Sequence, residues 1–388
     1  MATVRRQTLD VGILGYAESA YEKKTTRTLI SMLAEVARNA VASAGLSRGD
    51  IDGLAVCSFM LPPDNAVTLA EQLGIPVSWA YLGTAGGAGP VASVMNAVRA
   101  IEAGHAKTIL CLAADNYDVA GHYRLMDFFN KALISYATPN GFGGANGLFG
   151  IVQRKHMETY GTRRGDLGRI AVGQRASARQ NENALLRGPM TIDDYLDARV
   201  IADPIRLYDC VLPCSGADAV LVGALDRAPA GKGIRVLAGY EQHNYPAGEI
   251  APLHGGWELF RDRLWADAGR GPTDMDFVQA YDDYPIMVAM QLEDLGFCVK
   301  GEVSAFLAQH TFSFDGSFPL NTNGGQLSCG QAGAAGGMIG LVEAVRQLRG
   351  EAGPFQVARA RCGVVSGYGM VGYGHGLSSS SVVLERAQ

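Results

Sequence analysis

The glycine-rich turn and helix LGTAGGAGPVASVMNAVRAIEAG, at residues 82–104, is where this sequence would present a reactive side chain. Such a turn often places a nucleophile at the point where the helix begins, and here Thr84 occupies that point. A threonine hydroxyl attacks poorly unless a neighbouring base removes its proton. The chemistry at this turn therefore depends on which groups the rest of the fold brings next to it.

Strand-like and helix-like segments alternate around this turn. The segments LDVGILGYA, IDGLAVCSF and TILCLAADN, at residues 9–17, 51–59 and 108–116, have the apolar character of strands. The first two are separated by a stretch whose apolar residues recur at helical spacing and which ends near Gly45. Alternation of this kind predicts an α/β protein with helices layered on a sheet.

The second half of the chain repeats this order. A strand-like segment, a short helix, a second glycine turn opening a helix, and a last strand occupy residues 275–283, 286–296, 324–350 and 361–369. A repeated order of elements predicts two topologically similar halves. We place these halves at residues 1–230 and 231–388.

Superposing the two glycine turns without gaps pairs residues from the two halves. The AVRAI of the first helix lies over the AVRQL of the second, which sets Thr84 opposite Gln331. CLAADN lies over VVSGYG, which sets Asp115 near Tyr368. Two helix N-termini would then point at one cleft, where negative charge is stabilised. Gln331 cannot accept a proton at physiological pH, so we do not expect acyl transfer through Thr84.

Composition excludes several classes of protein. Of the 388 residues, 48% are hydrophobic and 18% are charged, which predicts a large packed core. The net charge of −5 argues against a nucleic-acid partner. We find no signal peptide or membrane-spanning run, and the seven cysteines are an odd number, so we expect a cytoplasmic protein with free thiols. A lone pair, Cys210 and Cys214, is too few ligands to predict a metal site.

The duplicated plan with these two turns resembles the thiolase superfamily, and within it the sterol-carrier-protein-type thiolases and their acetyl-CoA acetyltransferase-like relatives. The resemblance covers almost the whole chain. It rests on AIEAGHAKTILCLAADN (100–116), MTIDDYLDARVIADPIRLYDC (190–210), LEDLGFCVKGE (292–302), LNTNGGQLSCGQAGAAGG (320–337) and RQLRGEAGPFQV (346–357). It implies an α/β fold of five layers, α-β-α-β-α, from two similar halves. The reaction stays open, because one fold hosts many activities.

The thiolases that this chain resembles use four positions, and the sequence departs from all of them. The position of the nucleophilic cysteine carries Thr84, and the Asn-Glu-Ala-Phe-like oxyanion motif is replaced by YDDY at 281–284. The Gly-His-Pro motif, whose histidine activates the cysteine, has become GQA, with Gln331 for histidine. The Cys-x-Gly motif has become VSG, followed by Tyr368.

Phenols and a carboxylate thus stand where the resemblance implies sulfur and imidazole. A phenol, whose pKa is ~10, acts as a base when its phenolate is stabilised and otherwise donates a proton. These groups suit retro-aldol cleavage of a β-hydroxyacyl-CoA. A base takes the hydroxyl proton, the Cα–Cβ bond breaks to give an aldehyde or ketone, and the enolate of the shorter acyl-CoA is reprotonated. The pattern resembles thiolase-like acyl-CoA aldolases, which lack the cysteine and use tyrosines.

We assign hypothetical roles on this basis. Tyr281 or Tyr284 is the base on the substrate hydroxyl, Tyr368 is the proton donor, and Asp283 orients or polarises a phenol. The residues assigned to binding the substrate and its thioester oxygen are Thr84, Gly86, Gly87, Asn323, Gly324 and Gln331. The competing interpretation is that each tyrosine is an interior ring whose hydroxyl has a hydrogen-bond partner. This alternative is strongest for Tyr284, which aligns with a buried phenylalanine.

Two other functions stay open. One is a thiolase or acyltransferase that uses another cysteine, such as Cys329, although a buried free cysteine is usually a packing residue. The other is a catalytically silent subunit that supports a partner's site. Coenzyme A is expected as part of substrate and product, and no tightly bound cofactor or metal is expected.

The resemblance also implies partners and an acyl pocket. Thiolase-like chains form homodimers, and the apolar strand at 108–116 would suit the buried strand of such a dimer. The aldolase group pairs with a small protein that carries an OB-fold and a zinc finger, which would give a heterotetramer. The pocket would be shaped by the middle region at 115–206, as part of the first half, with an apolar lining from residues 122–130, Phe142, Leu148 and Phe149.

Overall fold

A computed structural model describes residues 10–129, 131, 133–141, 144–372 and 375–387. Within them the strands are β1 (Val11–Glu18), β2 (Gly53–Cys57), β3 (Trp79–Gly83), β4 (Thr108–Asn116), β5 (Val200–Ala202), β6 (Ile205–Arg206), β7 (Ser215–Ala224), β8 (Ile234–His243), β9 (Phe277–Gln279), β10 (Cys362–Gly372) and β11 (His375–Arg386). The α-helices are α1 (Leu29–Ser43), α2 (Ala66–Leu73), α3 (Gly89–Glu102), α4 (Val119–Phe129), α5 (Ala145–Tyr160), α6 (Arg164–Ala178), α7 (Ile192–Asp197), α8 (Trp257–Ala268), α9 (Pro285–Asp294), α10 (Val303–Gln309), α11 (Gly325–Cys329) and α12 (Ile339–Arg349).

Nine of these strands form one mixed sheet whose two ends are built alike, in the order β3-β2-β4-β7-β1-β8-β11-β10-β9. In the first half, β2 and β4 are parallel, and β7 runs antiparallel between β4 and β1. In the second half, β9 and β10 are parallel, and β11 runs antiparallel between β10 and β8. A parallel bridge between Val278 and Leu320 takes the place of the β2–β3 pairing. This correspondence supports the predicted duplication, and the boundary at residue 230 stays a prediction.

Helices lie on both faces of each half and between the halves, which gives five layers. On the outside, α1 packs on β1, β4 and β7, whereas α8 packs on β8 and β11. In the middle, α3 contacts β10 and β11 of the second half, and α12 contacts β1 and β7 of the first. Both middle helices are apolar on several sides, as helices between two layers must be. The α-β-α-β-α fold is therefore confirmed.

The two glycine turns meet between the halves. A 3-10 turn, Gly86–Ala88, precedes α3, and a longer 3-10 turn, Gly333–Gly337, precedes α12. A Cβ on Gly337 would overlap the backbone of Gly87. Only residues without a side chain permit so close an approach of two backbones. The starts of α3 and α12 therefore come together, as the duplication predicted.

Strand β4 is an interior strand. It pairs with β2 on one side and with β7 on the other, so both of its edges are occupied. An interior strand has no free edge, so residues 108–116 could not join two copies by edge-to-edge strand pairing. Their place in a homodimer stays a prediction. At the first-half end of this sheet the edge strand is β3.

Candidate active site

Tyr281 lies where the two halves meet, between the end of β9 and the start of α9. Its side chain is buried, and its phenol oxygen accepts a hydrogen bond from Gln331 Nε2 at 3.2 Å. The same Nε2 reaches Gln326 Oε1 at 3.1 Å. The structure therefore brings together Tyr281 and Gln331, two of the residues that the sequence predicted for the site.

The ring of Tyr281 also lies against Gly87. A Cβ on Gly87 would overlap Cε2 and Cζ of the ring, and it would also lie 2.5 Å from the carbonyl oxygen of Tyr368. A side chain at position 87 would therefore stand where the phenol is. Gly86, which has a φ of 56°, packs on the backbone of Met370.

Thr84 is not at this point of contact. Its side chain is exposed, beyond the end of β3. The gapless superposition predicted that Thr84 faces Gln331 across the cleft, and the structure instead puts Gly87 beside Tyr281. The two 3-10 turns differ in length, so a superposition anchored on the helices shifts the residues that come before them.

Tyr368 lies in β10, which forms the wall of the site opposite the loop of Tyr281. Its ring is buried, and its centroid is 5.1 Å from that of Trp257 and 6.2 Å from that of Phe149. The backbone N–H of Gly376 donates a hydrogen bond to its phenol oxygen. Because this oxygen accepts from the backbone, its own proton is free to be donated elsewhere.

Tyr284 has a different set of contacts. Its hydroxyl donates to Asn146 Oδ1 at 2.6 Å, and its ring lies 4.8 Å from Phe149, centroid to centroid. Asn146 Oδ1 is also 3.6 Å from Cys210 Sγ. Asn146 is half-buried at the start of α5, and sequence analysis missed it. The glycine-rich segment around it was the only available signal.

Asp283 lies among these phenols. The residue is partly exposed, but its Oδ1 is shielded from solvent and has no hydrogen-bond partner within the described residues. Burial raises the pKa of this carboxyl well above its ordinary value, and the neighbouring charge of Asp282 raises it further. A carboxylate with a raised pKa accepts protons more readily than an ordinary one. The role of Asp283 in orienting or polarising a phenol stays a prediction.

All three phenols are neutral in the resting site. Burial raises the pKa of Tyr281 well above its ordinary value, the charges of Asp283 and Asp282 raise it further, and the hydrogen bond from Gln331 lowers it. Burial similarly raises the pKa of Tyr284 and that of Tyr368. The charge of Asp283 contributes to each of these shifts. The four groups therefore form one electrostatically linked set.

Asp282 is a buried neighbour that sequence analysis did not single out. Its Oδ1 accepts from the backbone N–H of Gln326 at 2.9 Å, and its Oδ2 accepts from that of Leu327 at 3.1 Å. Burial raises its pKa to about 7, against the opposing effect of these hydrogen bonds. Asp282 therefore caps the start of α11 and fixes the position of the YDDY segment.

Asn323 and Gly324 are buried just before α11. Asn323 Oδ1 accepts from Gly325 N at 3.0 Å, and Asn323 Nδ2 is buried without a partner in the part of the chain described. Asn323 lines a cavity of about 10 Å³ next to Tyr281 and Asp282. Gly324 donates its N–H to Asn321 and packs on Ala178, so its backbone is already engaged. The oxyanion role of both residues stays a prediction.

Cys329 is a packed thiol. Its Sγ donates to the carbonyl oxygen of Asn323 at 3.2 Å and lies 3.4 Å from Asn181 Nδ2. Burial raises its pKa well above the ordinary value of a thiol. A buried, protonated thiol is a poor nucleophile. These contacts do not favour the alternative in which Cys329 carries an acyl group.

Part of the predicted acyl pocket is described. Leu148 is buried against Ala137 and Val371, and Phe149 packs between the rings of Tyr284 and Tyr368. Phe142 and Asn130 lie outside the described residues. Phe149 therefore connects the predicted pocket lining with two of the predicted catalytic tyrosines.

The described residues contain no group of three or more His, Cys, Asp or Glu side chains that could hold a metal ion. In the same ranges, no helix is both long and apolar enough to cross a bilayer.

Residues 262–386 match the family model described as "Thiolase C-terminal domain-like". The chain is 32% identical over 356 residues to the 17-hydroxy-3-oxo-4-pregnene-20-carboxyl-CoA lyase of Mycobacterium tuberculosis, covering 87% of this chain and 91% of that protein. It is 32% identical over 360 residues to the steroid side-chain-cleaving aldolase of Thermomonospora curvata, covering 87% of this chain and 90% of that one.

Solved structures agree with these similarities. The structure described as "Ltp2-ChsH2(DUF35) aldolase" has a TM-score of 0.84 and 28% sequence identity, covering 97% of this chain and 98% of its own. A monomeric SCP2-thiolase-like protein from Mycobacterium smegmatis has a TM-score of 0.74 at 17% identity, covering 98% of this chain and 78% of its own. The second likeness is one of fold alone.

Proposed function

Because the chain belongs to the thiolase superfamily, among its acyl-CoA aldolases, we propose that tyrosines carry out its reaction in place of the thiolase cysteine and histidine. The chain is a carbon–carbon lyase that cleaves a β-hydroxyacyl-CoA by a retro-aldol reaction. The observation that carries our assignment to phenols is the contact of Tyr281 with Gly87, because it leaves no room for a nucleophilic side chain at position 87.

Tyr281 is the base in this proposal, and Tyr284 is not. The oxygen of Tyr281 accepts a hydrogen bond from Gln331, which stabilises a developing phenolate. The hydroxyl of Tyr284 is instead bonded to Asn146 Oδ1, and an acceptor of this kind favours the neutral phenol. Tyr284 then holds Asn146 in place at the acyl pocket.

A proton relay through Asp283 balances the reaction. Tyr281 passes its phenol proton to the Asp283 carboxylate and takes the proton of the substrate's β-hydroxyl, while the Cα–Cβ electron pair becomes the enolate. Tyr368 then protonates Cα, and Asp283 returns its proton to Tyr368. One proton moves from the substrate hydroxyl to Cα, and no bond to the protein forms. The support for Asp283 in this route is its shielded Oδ1, which has no hydrogen-bond partner among the described residues and is available to take up a proton.

The enolate oxygen needs hydrogen-bond donors. In this proposal the backbone of Gly86 and Gly87 supplies them, just before α3, where a helix N-terminus favours negative charge. Gln331 Nε2 uses its two N–H groups on Tyr281 and Gln326, so it would reach the enolate oxygen only by releasing one of them. Thr84, exposed at the edge of this turn, would contact the thioester or coenzyme A rather than the reacting carbon. Coenzyme A enters and leaves as part of substrate and product.

The name of the mycobacterial relative suggests a substrate class. In a 17-hydroxy-pregnene-20-carboxyl-CoA the hydroxyl carbon is β to the thioester, so cleavage gives a 17-ketone and a three-carbon acyl-CoA. A bulky ring system of this kind suits a pocket lined by Phe149 and Leu148. Tyr284 and Tyr368 are both buried next to Phe149, so a bound ring system would lie against their rings.

The similar aldolase complex and the edge of the sheet suggest partners for this chain. We propose a complex with a small DUF35-type protein, as the named Ltp2-ChsH2(DUF35) aldolase suggests. The resemblance implies that this partner carries an OB-fold and a zinc finger. We also propose a homodimer, with β3 as the pairing strand, which would give a heterotetramer. The support for β3 is its position at the edge of the sheet and its stacked Trp79 and Tyr81 rings.

The test uses the purified chain, with and without the small partner, and 17-hydroxy-3-oxo-4-pregnene-20-carboxyl-CoA or 3-hydroxybutanoyl-CoA. Mass spectrometry should detect a ketone or aldehyde and a shorter acyl-CoA without added coenzyme A. If no cleavage occurs either with or without the small partner, the proposed lyase activity is contradicted. A requirement for free coenzyme A and a β-keto substrate would indicate thiolysis instead.

A further inference from the structure

One buried glutamine on α9 has every hydrogen-bonding atom of its amide occupied. Gln291 Nε2 donates to the carbonyl oxygens of Tyr281 at 2.7 Å and of Met287 at 2.8 Å. Gln291 Oε1 accepts from the backbone N–H of Tyr281 at 3.1 Å and from Ser366 Oγ at 2.6 Å. Two donors and two acceptor sites are all that a primary amide has, so this side chain is fixed in one orientation.

Gln291 supplies hydrogen bonds to the backbone of Tyr281 just beyond the point where strand pairing ends. The parallel pairing of β9 with β10 stops at Gln279 and Val365, two residues before Tyr281. The backbone N–H and C=O of Tyr281 are nevertheless both satisfied, because the amide of Gln291 bonds to each of them. A buried backbone without such partners would be destabilised and free to shift.

Gln291 also reaches the opposite wall through Ser366. Ser366 and Tyr368 are two residues apart in β10, so their side chains point to the same face of the strand. The hydrogen bond from Ser366 Oγ therefore joins the strand of one catalytic tyrosine to the backbone of the other. Neither phenol hydroxyl takes part in this connection.

We propose that Gln291 is a positioning residue that sets the distance between Tyr281 and Tyr368. This inference rests on the proposed function, since it matters for turnover only if the two phenols act on one substrate. Gln291 touches no reacting atom and acts through the backbone of Tyr281. Its loss should therefore slow the chemical step and leave ground-state binding of the acyl-CoA nearly unchanged.

The experiment compares Gln291→Leu with a matched control, Gln347→Leu. Gln347 is equally buried, on α12, and its amide is also saturated, with bonds that include Glu343 Oε1 at 2.7 Å, Phe355 O at 2.9 Å and Val357 N at 2.7 Å. Both variants lose a comparable set of buried hydrogen bonds. Ser366→Ala is the milder variant, because it removes only the link between the two walls.

We expect kcat of Gln291→Leu to fall about 100-fold below that of Gln347→Leu, with KM changed less than about 3-fold, because a displacement of about 1 Å can cost that much in rate. Equal kcat values in the two folded variants would overturn the proposal. If Gln291→Leu fails to fold, the kcat of Ser366→Ala tests the proposal instead. A fall in kcat of about 10-fold supports the link, and an unchanged kcat refutes it.

Crystal structures of the variants separate this inference from the proposed function. If neither wild type nor Gln347→Leu cleaves any β-hydroxyacyl-CoA, the proposed function fails. The inference is then judged by position: the Tyr281 oxygen should move by about 1 Å in Gln291→Leu, or in Ser366→Ala, and stay in place in Gln347→Leu. An unmoved Tyr281 would overturn it.

Discussion

Gly87 lies against the ring of Tyr281, so closely that a Cβ on Gly87 would overlap the ring's Cε2 and Cζ. The two residues come from different halves of the fold, one from the turn before α3 and the other from the loop after β9. Their contact means that a phenol and a side chain at position 87 exclude each other. A site built on Tyr281 is therefore incompatible with a thiol at this point.

Replacing Gly87 with alanine should lower activity, and it should also destabilise the fold, because the new Cβ meets the carbonyl oxygen of Tyr368 as well as the ring of Tyr281. The added methyl would push Tyr281 away from Gln331, and misplacement of a catalytic group by about 1 Å costs about 100-fold in kcat. The measurement is kcat for lyase turnover, with circular dichroism to confirm folding. Gly165→Ala is the control, because a Cβ at Gly165 meets nothing within 4 Å. Full activity in the Gly87 variant would show that Tyr281 does not need its present position.

The three tyrosines should differ when each is changed to phenylalanine. Tyr281→Phe and Tyr368→Phe each remove a proton-transfer group, so kcat should fall by ~10² to ~10⁴. Tyr284→Phe removes only the hydrogen bond to Asn146, and a loss of roughly 10-fold is expected. Steady-state kinetics with saturating substrate tests this order. A Tyr284 variant slower than the other two would reverse our assignment of the base.

Asp283 should set the acid limb of the pH–rate profile. Its carboxyl accepts a proton in the proposed relay, so activity requires the carboxylate and rises as the pH rises through its pKa. Burial and the charge of Asp282 hold that pKa well above the ordinary value of an aspartate. The limb should therefore lie well above the pH at which exposed carboxyls titrate, and Asp283→Asn should lack it. A limb that persists in the variant would assign the titration to another group.

Asp115 should make the stability of the fold depend on pH. Its carboxylate accepts from Ser58 Oγ and from the backbone N–H groups of Met60 and Ala334, yet burial raises its pKa to about 6. A pKa raised by folding gives stability that is fully present below the unfolded pKa of 3.8 and is lost as the pH rises through about 6.

The free energy of unfolding of the wild type, relative to Asp115→Asn, should therefore fall on the order of 3 kcal/mol between about pH 4 and about pH 6.5. Urea unfolding at intervals of pH measures it. The variant is less stable at every pH, because an amide cannot accept all of these bonds. A difference in the free energy of unfolding between wild type and Asp115→Asn that does not vary with pH would contradict the raised pKa of Asp115.

Local patterns were enough to predict an α/β fold of two similar halves, whereas the five layers came from the resemblance to the thiolase superfamily. The apolar periodicity around α1, the two glycine turns and the repeated order of strands and helices depend on neighbouring residues, and a sequence displays these directly. The interior position of β4 could not be read from its own residues, since an apolar strand suits both a dimer interface and a central place in a sheet.

The site itself was predictable in residue type and less so in position. Tyr281 and Gln331 do meet, whereas Tyr368 packs on Trp257 and Phe149. The superposition pointed to Thr84 because it assumed that the turns before α3 and α12 have equal lengths. Gln291 and Asn146 belong to no recognisable motif. Their importance comes from contacts with Tyr281 and Tyr284, 10 and 138 residues away, which spacing along the chain does not reveal.

The central claim is that bonds are broken at this site by moving protons between phenols and a carboxylate, without acylating the protein. Intact-protein mass spectrometry of samples quenched during turnover of a β-hydroxyacyl-CoA tests it most directly. Our account predicts an unchanged protein mass at every time point, in the wild type and in Cys329→Ala alike, while ketone or aldehyde accumulates. A mass increase equal to the acyl group, lost when Cys329 is replaced, would contradict it.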